Sequence, residues 1–222
     1  MNRFQQDGYA VIAQLLTASE CATISAALAG TADPSIGSRN LLDLPWCKAL
    51  AHTLGSHPAI ASHLPQEARA VQCTYFEKSQ DQNWLVPIHQ DLSIPVQERI
   101  AHERLSGWSV KEGGMFVHAP EAVLAELVAV RLHIDDCGID DGPLKVVPGS
   151  HLAGKLSNAS ALAKRDQLGE HACPVVQGGA LLLRPLLLHA SSKASGSSRR
   201  RVLHFVFGPK ELPFGLRWQH AV

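Results

Sequence analysis

The rhythm of hydrophobic and polar positions changes near residue 70. Before it, Leu42, Trp46, Leu50 and Leu54 recur at four-residue spacing, the stripe of an amphipathic helix. Residues 41–64 therefore predict one or two short helices, with Pro45 and Pro58 limiting their lengths. Thr17-Ala18-Ser19-Glu20 fits a capping box, and the alanine-rich stretch behind it predicts a helix over 17–29. Ahead of that helix, Asp7-Gly8 reads as a turn and residues 9–12 as a strand. GTADPSIGS at 30–38 reads as a loop.

Beyond residue 70 the pattern is one of short strands and turns. Strands are expected at 71–76 and 84–89, around a polar loop, and at 115–118, 127–135 and 144–147. A helical turn or two is expected at 120–127 and a helix at 157–168, with residues 174–176 extended. The apolar run 180–190 is split by Arg184-Pro185 into two strands, and 202–207 is the last. Residues 97–114 have no strong period and predict a long loop with a helical turn, part of a lid. Arg99, His102, Arg104 and Trp108 are its candidate substrate contacts. A helical third followed by many short strands predicts a mainly β barrel or sandwich with helices packed outside. One domain over 1–222 accommodates it, with helical support over 1–68 and the barrel over 69–210.

Composition narrows the function classes. Hydrophobic residues make up 45% and charged residues 18%, which excludes global disorder. Twenty basic residues balance twenty acidic ones, so neither nucleic acid nor an anionic membrane is expected as the main partner. The five cysteines are scattered without a Cys-x-x-Cys pair, which argues for a reducing compartment. The opening MNRFQQDGYAVIAQLL has no signal-peptide pattern, and the cytoplasm is the expected setting.

Candidate chemistry centres on NWLVPIHQDLSIPV at 83–96. On an extended strand, positions i and i+2 share a face, so His89 and Asp91 aim an imidazole and a carboxylate the same way. With one further histidine they form the two-histidine, one-carboxylate face that holds non-haem Fe(II) with open positions. His189 closes the apolar run Leu186-Leu187-Leu188 just before a Ser/Gly-rich stretch and is well placed to be that third ligand. Behind it, Arg199-Arg200-Arg201 opens the last strand, where alternation points Arg200 opposite to its two neighbours. An arginine aimed into an apolar barrel needs an anion, and a dicarboxylate would satisfy it. A rival His-x-Asp exists at His133-Ile134-Asp135. In a double-stranded β-helix the ligand pair lies on the second core strand and the last ligand on the seventh. About four strands can be placed between Asp91 and His189 but only about two after Asp135, which favours His89 and Asp91. His151, in Pro148-Gly149-Ser150-His151, reads as a residue tying a turn to the barrel.

These segments resemble the phytanoyl-CoA dioxygenase family of Fe(II)- and 2-oxoglutarate-dependent oxygenases. The resemblance is carried by the opening Asp7-Gly8-Tyr9, HQD at 89–91, HIDDCGIDDGPLKVVPGSH at 133–151 and HASSKASGSSRR at 189–200. It implies a double-stranded β-helix (jelly-roll, cupin-like) fold. It implies further that His89, Asp91 and His189 bind iron, that Arg200 pairs with the distal carboxylate of 2-oxoglutarate, and that Ser191 is a second contact to that cosubstrate. The implied reaction consumes O₂ and hydroxylates a small-molecule substrate, releasing succinate and CO₂. Related halogenases carry a small residue where Asp91 stands, so Asp91 implies hydroxylation. Two departures stand out: Ile88 replaces a common aromatic, and Arg199 and Arg201 remain fallbacks for Arg200. The alternative is a cupin-like metal-binding protein without oxygenase turnover.

Overall fold

The structure is a computed structural model that describes residues 3–31, 37–196 and 199–222; residues 32–36 of the expected 30–38 loop lie outside the described residues. The first part holds α1 (Arg3–Asp7), β1 (Tyr9–Ile12), α2 (Ala18–Gly30), α3 (Pro45–Ser56) and α4 (Pro58–Ala61). Then come β2 (Arg69–Lys78), β3 (Val86–His89), β4 (Ser93–Val96), β5 (Ser106–Lys111), β6 (Gly114–His118) and α5 (Glu121–Glu126). The last part holds β7 (Val128–His133), β8 (Leu144–Val146), α6 (Asn158–Leu168), β9 (His171–Cys173), β10 (Ala180–Leu183), β11 (His189–Ser191) and β12 (Arg200–Gly208).

The helices form where the sequence signals them. The Thr17 N–H donates to the Glu20 carboxylate (2.7 Å) and the Glu20 N–H to the Thr17 hydroxyl (3.3 Å), closing the capping box of α2. Pro45 and Pro58 each sit in a first helical turn, where a missing N–H leaves no bond unmade.

The strands assemble into antiparallel sheets ordered β1-β10-β7-β12-β2, β3-β11-β8-β9 and β4-β6-β5. This is the mainly β, cupin-like arrangement with a helical N-terminal third that the sequence predicts. Alternation gives the five-stranded sheet two different faces. Cys73 and Tyr75 of β2, Val128, Val130 and Leu132 of β7, and Leu203, Phe205 and Phe207 of β12 face outward. They pack against Ile24 and Leu28 of α2 and Leu50 and Leu54 of α3. Each large apolar side chain buried there contributes about 1.5–3 kcal/mol. The intervening positions face the other way, towards the four-stranded sheet, and line a cavity.

Four stretches differ from expectation, the first being Arg3–Asp7, an unanticipated helix that runs into the Asp7-Gly8 turn. Residues 97–114 are not one long loop, because 106–111 form β5, paired to β6. The turn between them is Glu112-Gly113, both at positive φ (48° and 79°), the two-residue geometry that matches strand twist. Lying at an edge, β5 is largely polar and open to solvent, so it offers no apolar alternation to read. Ser93–Val96 forms β4, which was not anticipated. The extended segment near 174–176 pairs instead at His171–Cys173, leaving Val175 a single bridge to Cys137. All five cysteines are free and buried. Among the described residues, no helix is long and apolar enough to cross a membrane.

Candidate metal centre and its cavity

Strands β3 and β11 run side by side and place His89 directly opposite His189, with ring centroids 4.2 Å apart. Each ring is oriented by its own backbone. The Nδ1–H of His89 donates to the Pro87 carbonyl (2.9 Å), and that of His189 to the Leu187 carbonyl (2.8 Å). A carbonyl only accepts, so both hydrogens sit on Nδ1 and both Nε2 lone pairs are free to ligate. They face Asp91, with His89 Nε2 at 3.7 Å from Oδ1 and His189 Nε2 at 3.6 Å from Oδ2. Donors that each lie about 2.1 Å from one ion stand about 3–4 Å apart, so the set fits a single divalent metal. It is the one such group of three among the described residues.

Asp91 reaches this position differently from the sequence expectation. Strand β3 ends at His89, so Asp91 lies just beyond it, anchored by its N–H to the Pro185 carbonyl (2.9 Å). Gln90, between the two ligands, turns to the other side. Its amide donates to the carbonyls of Gly154 (2.8 Å) and Leu186 (2.6 Å) and accepts from the Leu156 N–H (2.8 Å). Three bonds from one side chain thus hold the peptide that carries both ligands. Burial pushes the His189 imidazole down to about 4. Burial would raise the Asp91 carboxyl, but His189, His204, His89 and Arg131 outweigh it and hold it below its ordinary value. Both groups therefore stand in their ligating forms at neutral pH.

The arginine triplet separates as alternation requires. Arg199 pairs with Glu77 (2.7 and 3.0 Å) and Arg201 with Asp135 (2.8 and 2.7 Å), while Arg200 is only 3% exposed and turns inward. One Arg200 nitrogen, Nη1, donates to the Gly142 carbonyl at 2.5 Å, and its Nε has no partner among the described residues. Ser191 lines the same cavity, two residues after His189 on β11, and its hydroxyl accepts from Lys78 Nζ (2.9 Å). Lys78, 1% exposed at the end of β2, is a site residue that sequence reasoning missed. Its signal was available: Gln72, Thr74 and Lys78 put polar groups on one face of β2. Burial, then Arg200 and Arg131, push the Lys78 ammonium down to about 8.

The metal triad, Ser191, Arg200 and Lys78 all line one cavity of about 470 Å³. So do Arg131 and His204, which sequence reasoning also left out of the site. Arg99, His102, Arg104 and Trp108 do not line it. Instead, Arg99 lies over Trp108 (5.7 Å) and His102 against Phe214 (4.2 Å). The rival pair is not brought together: His133 is buried inside the barrel, while Asp135, past the end of β7, is engaged by Arg201. His151 donates from Nε2 to the Gln5 carbonyl (3.2 Å), tying its turn to the N-terminal segment.

Known structures share this framework. The non-haem α-ketoglutarate-dependent carbocyclase SnoK of nogalamycin biosynthesis superposes with a TM-score of 0.68, at 15% identity over 94% of this chain and 82% of that one. The epimerase SnoN of the same biosynthesis gives 0.65, at 15% identity over 99% and 90%. HygX from Streptomyces hygroscopicus, with nickel and 2-oxoglutarate bound, gives 0.64, at 18% identity over 93% and 84%. At these identities the likeness speaks to fold. No curated protein sequence matches significantly. The sequence does match a family model, phytanoyl-CoA dioxygenase (PhyH), over residues 4–202, which includes all three candidate ligands and Arg200. The chain belongs to the phytanoyl-CoA dioxygenase family.

Proposed function

We propose that the protein is an Fe(II)- and 2-oxoglutarate-dependent oxygenase that hydroxylates a small-molecule substrate and releases succinate and CO₂. The observation that carries this reading is one cavity containing both a three-donor metal face and a buried, unanswered pair of cations. The spacing suits the cosubstrate. His189 and Ser191 are two residues apart on one strand, roughly 7 Å, the span of a five-carbon dicarboxylate bridging metal and cations. The orphaned Nε of Arg200 supplies the other half of the fit.

In this reading His89, Asp91 and His189 hold iron from one side and leave the cavity side for exogenous ligands. When bound, iron and 2-oxoglutarate supply O₂ activation coupled to oxidative decarboxylation. Arg200 and Lys78 take the distal carboxylate as charge-assisted donors. Since Ser191 accepts from Lys78, its own hydroxyl hydrogen remains to donate to the same carboxylate. Asp91 fills the position a halide would need, which favours hydroxylation. The test is anaerobic addition of Fe(II) and 2-oxoglutarate, followed by the weak visible charge-transfer band of the chelate. Its appearance, with succinate release in air, supports the reading. A protein that binds Fe(II) without forming the band would be a metal-binding barrel without turnover.

A further inference from the structure

The cavity holds more positive charge than the metal and 2-oxoglutarate can use. Arg39, Lys78, Lys111, Arg131 and Arg200 line it, and Asp91 is the only carboxylate among its described lining residues. Arg39 is answered by Glu112 outside (3.3 Å). Lys78 and Arg200 face each other across β2 and β12 at the cosubstrate end. Arg131 is set back from that pair along the sheet, while still in electrostatic range of Arg200 and Asp91. It pairs in register with His204, which lies four residues along β12 from Arg200, about 13 Å of strand. A dianionic cosubstrate and Asp91 bring three negative charges against four from the metal, Lys78 and Arg200. Arg131 is then a further buried positive charge, whose nearby counter-charge among the described residues, Asp91, is already committed to the metal.

Its surroundings are built. The Phe76 ring lies 5.3 Å from the guanidinium, and Nη1 donates to His204 Nδ1 at 3.1 Å. That donation forces the His204 hydrogen onto Nε2, turning the ring into a donor on the cavity wall. Thr74, the third member of this cross-strand row, accepts from the Gln72 amide (2.8 Å) and keeps its own hydroxyl hydrogen to give. Arg131 is 8% exposed, and its Nε has no partner among the described residues. Lys111 at the rim, stacked on Phe116 at 4.8 Å, adds a positive charge along the way in. Guanidinium, imidazole N–H and hydroxyl together form a donor row that no carboxylate among the described residues hydrogen-bonds.

We infer that Arg131, flanked by His204 and Thr74, is the site that recognises a carboxylate on the primary substrate, a subsite separate from that of 2-oxoglutarate. The inference rests on the oxygenase reading above and names the substrate class it serves. Burial lowers the His204 imidazole to about 3, so the ring is neutral and keeps the Nδ1 lone pair that accepts from Arg131.

The test uses the intact protein loaded anaerobically with Fe(II) and 2-oxoglutarate, titrated with sodium benzoate or its neutral isostere benzamide while the chelate band is followed. Benzoate is expected to shift the band saturably, and benzamide is not. Arg131→Gln is expected to keep the band and its 2-oxoglutarate affinity while weakening the benzoate response by about tenfold or more. Arg131→Lys, which keeps the charge and loses the fork, should fall between. Equal responses to the two probes, an unchanged response in Arg131→Gln, or no response to benzoate would overturn the subsite. So would loss of the band in Arg131→Gln or displacement of 2-oxoglutarate by benzoate, since either places Arg131 in the cosubstrate site. Absence of the band in the unaltered protein would remove the oxygenase reading and the subsite with it.

Discussion

The two walls of the cavity do opposite things with buried polarity. At the four-stranded sheet, the acceptors of His89, Asp91 and His189 converge within a few ångströms as ligands for one cation, and both imidazoles are locked by carbonyls two residues back on their own strands. On the five-stranded sheet, Lys78, Arg200 and Arg131 lie almost fully buried and repel one another, and the Nε of each arginine has no partner among the described residues. The first wall is organised before any ligand arrives. The second is arranged for anions that the chain does not itself supply. A wall of this kind destabilises the free protein and is retained because ligands offset it.

The largest effect that can break this comparison is at the metal wall. His189→Ala should weaken Fe(II) binding by more than about a hundredfold, because losing a ligand exceeds the loss from its orienting partners. His133→Ala should leave Fe(II) affinity unchanged. Anaerobic titration of both variants decides the matter, and the reverse result would move the centre to the buried histidine of β7.

The cationic wall should respond in the opposite sense. Lys78→Met is expected to weaken 2-oxoglutarate by about 30-fold to 100-fold, the loss of one charged hydrogen bond. Fe(II) affinity should hold. The same change should raise the stability of the free protein by about 1–2 kcal/mol, since it removes a desolvated like charge. Chemical denaturation without ligands would show this, and a destabilised variant would mean that the bonds Lys78 donates to the Ser191 hydroxyl and the Ser192 carbonyl outweigh the repulsion.

Acidity sharpens the point. Lys78 is protonated below about 8 in the fold, against 10.5 ordinarily. Affinity for 2-oxoglutarate should therefore be greatest below that value and fall as pH rises through it. Stability of the free protein should do the reverse. The unfolded chain binds the extra proton between those two values, so unfolding becomes harder as pH rises across them. Both trends should vanish in Lys78→Met, and a pH-independent affinity in the unaltered protein would separate Lys78 from the cosubstrate.

How much of each wall could be read in the sequence follows from the same difference. His89 and Asp91 stand two apart and His189 ends an apolar run, so local pattern nominated all three, but His133 and Asp135 share that spacing and it took the count of strands to set them aside. Arg200 was legible because its neighbours must point the other way. Lys78 faces Arg200 across a pairing of strands 122 residues apart, which no local pattern reveals. Arg131 did carry a local sign, a single charge in the fully buried strand VAVRLH, but the adjacent His-x-Asp drew the eye past it. The helical third was legible from the Thr17 cap and the four-residue stripe, whereas the polar edge strand β5 was not.

That edge strand sets the smallest expected effect. Gly113 sits at φ 79°, and a Cβ there would meet nothing within 4 Å, so Gly113→Ala tests backbone conformation alone. Holding alanine in the left-handed region costs about 1 kcal/mol. The variant should lose that much stability by chemical denaturation while keeping both Fe(II) and 2-oxoglutarate affinity, because neither wall rests on the turn. Lys111, two residues before it, does line the cavity rim. A drop in 2-oxoglutarate affinity in Gly113→Ala would therefore mean that the hairpin's charge acts on the cosubstrate itself, and the cationic wall would have to be redrawn to include it.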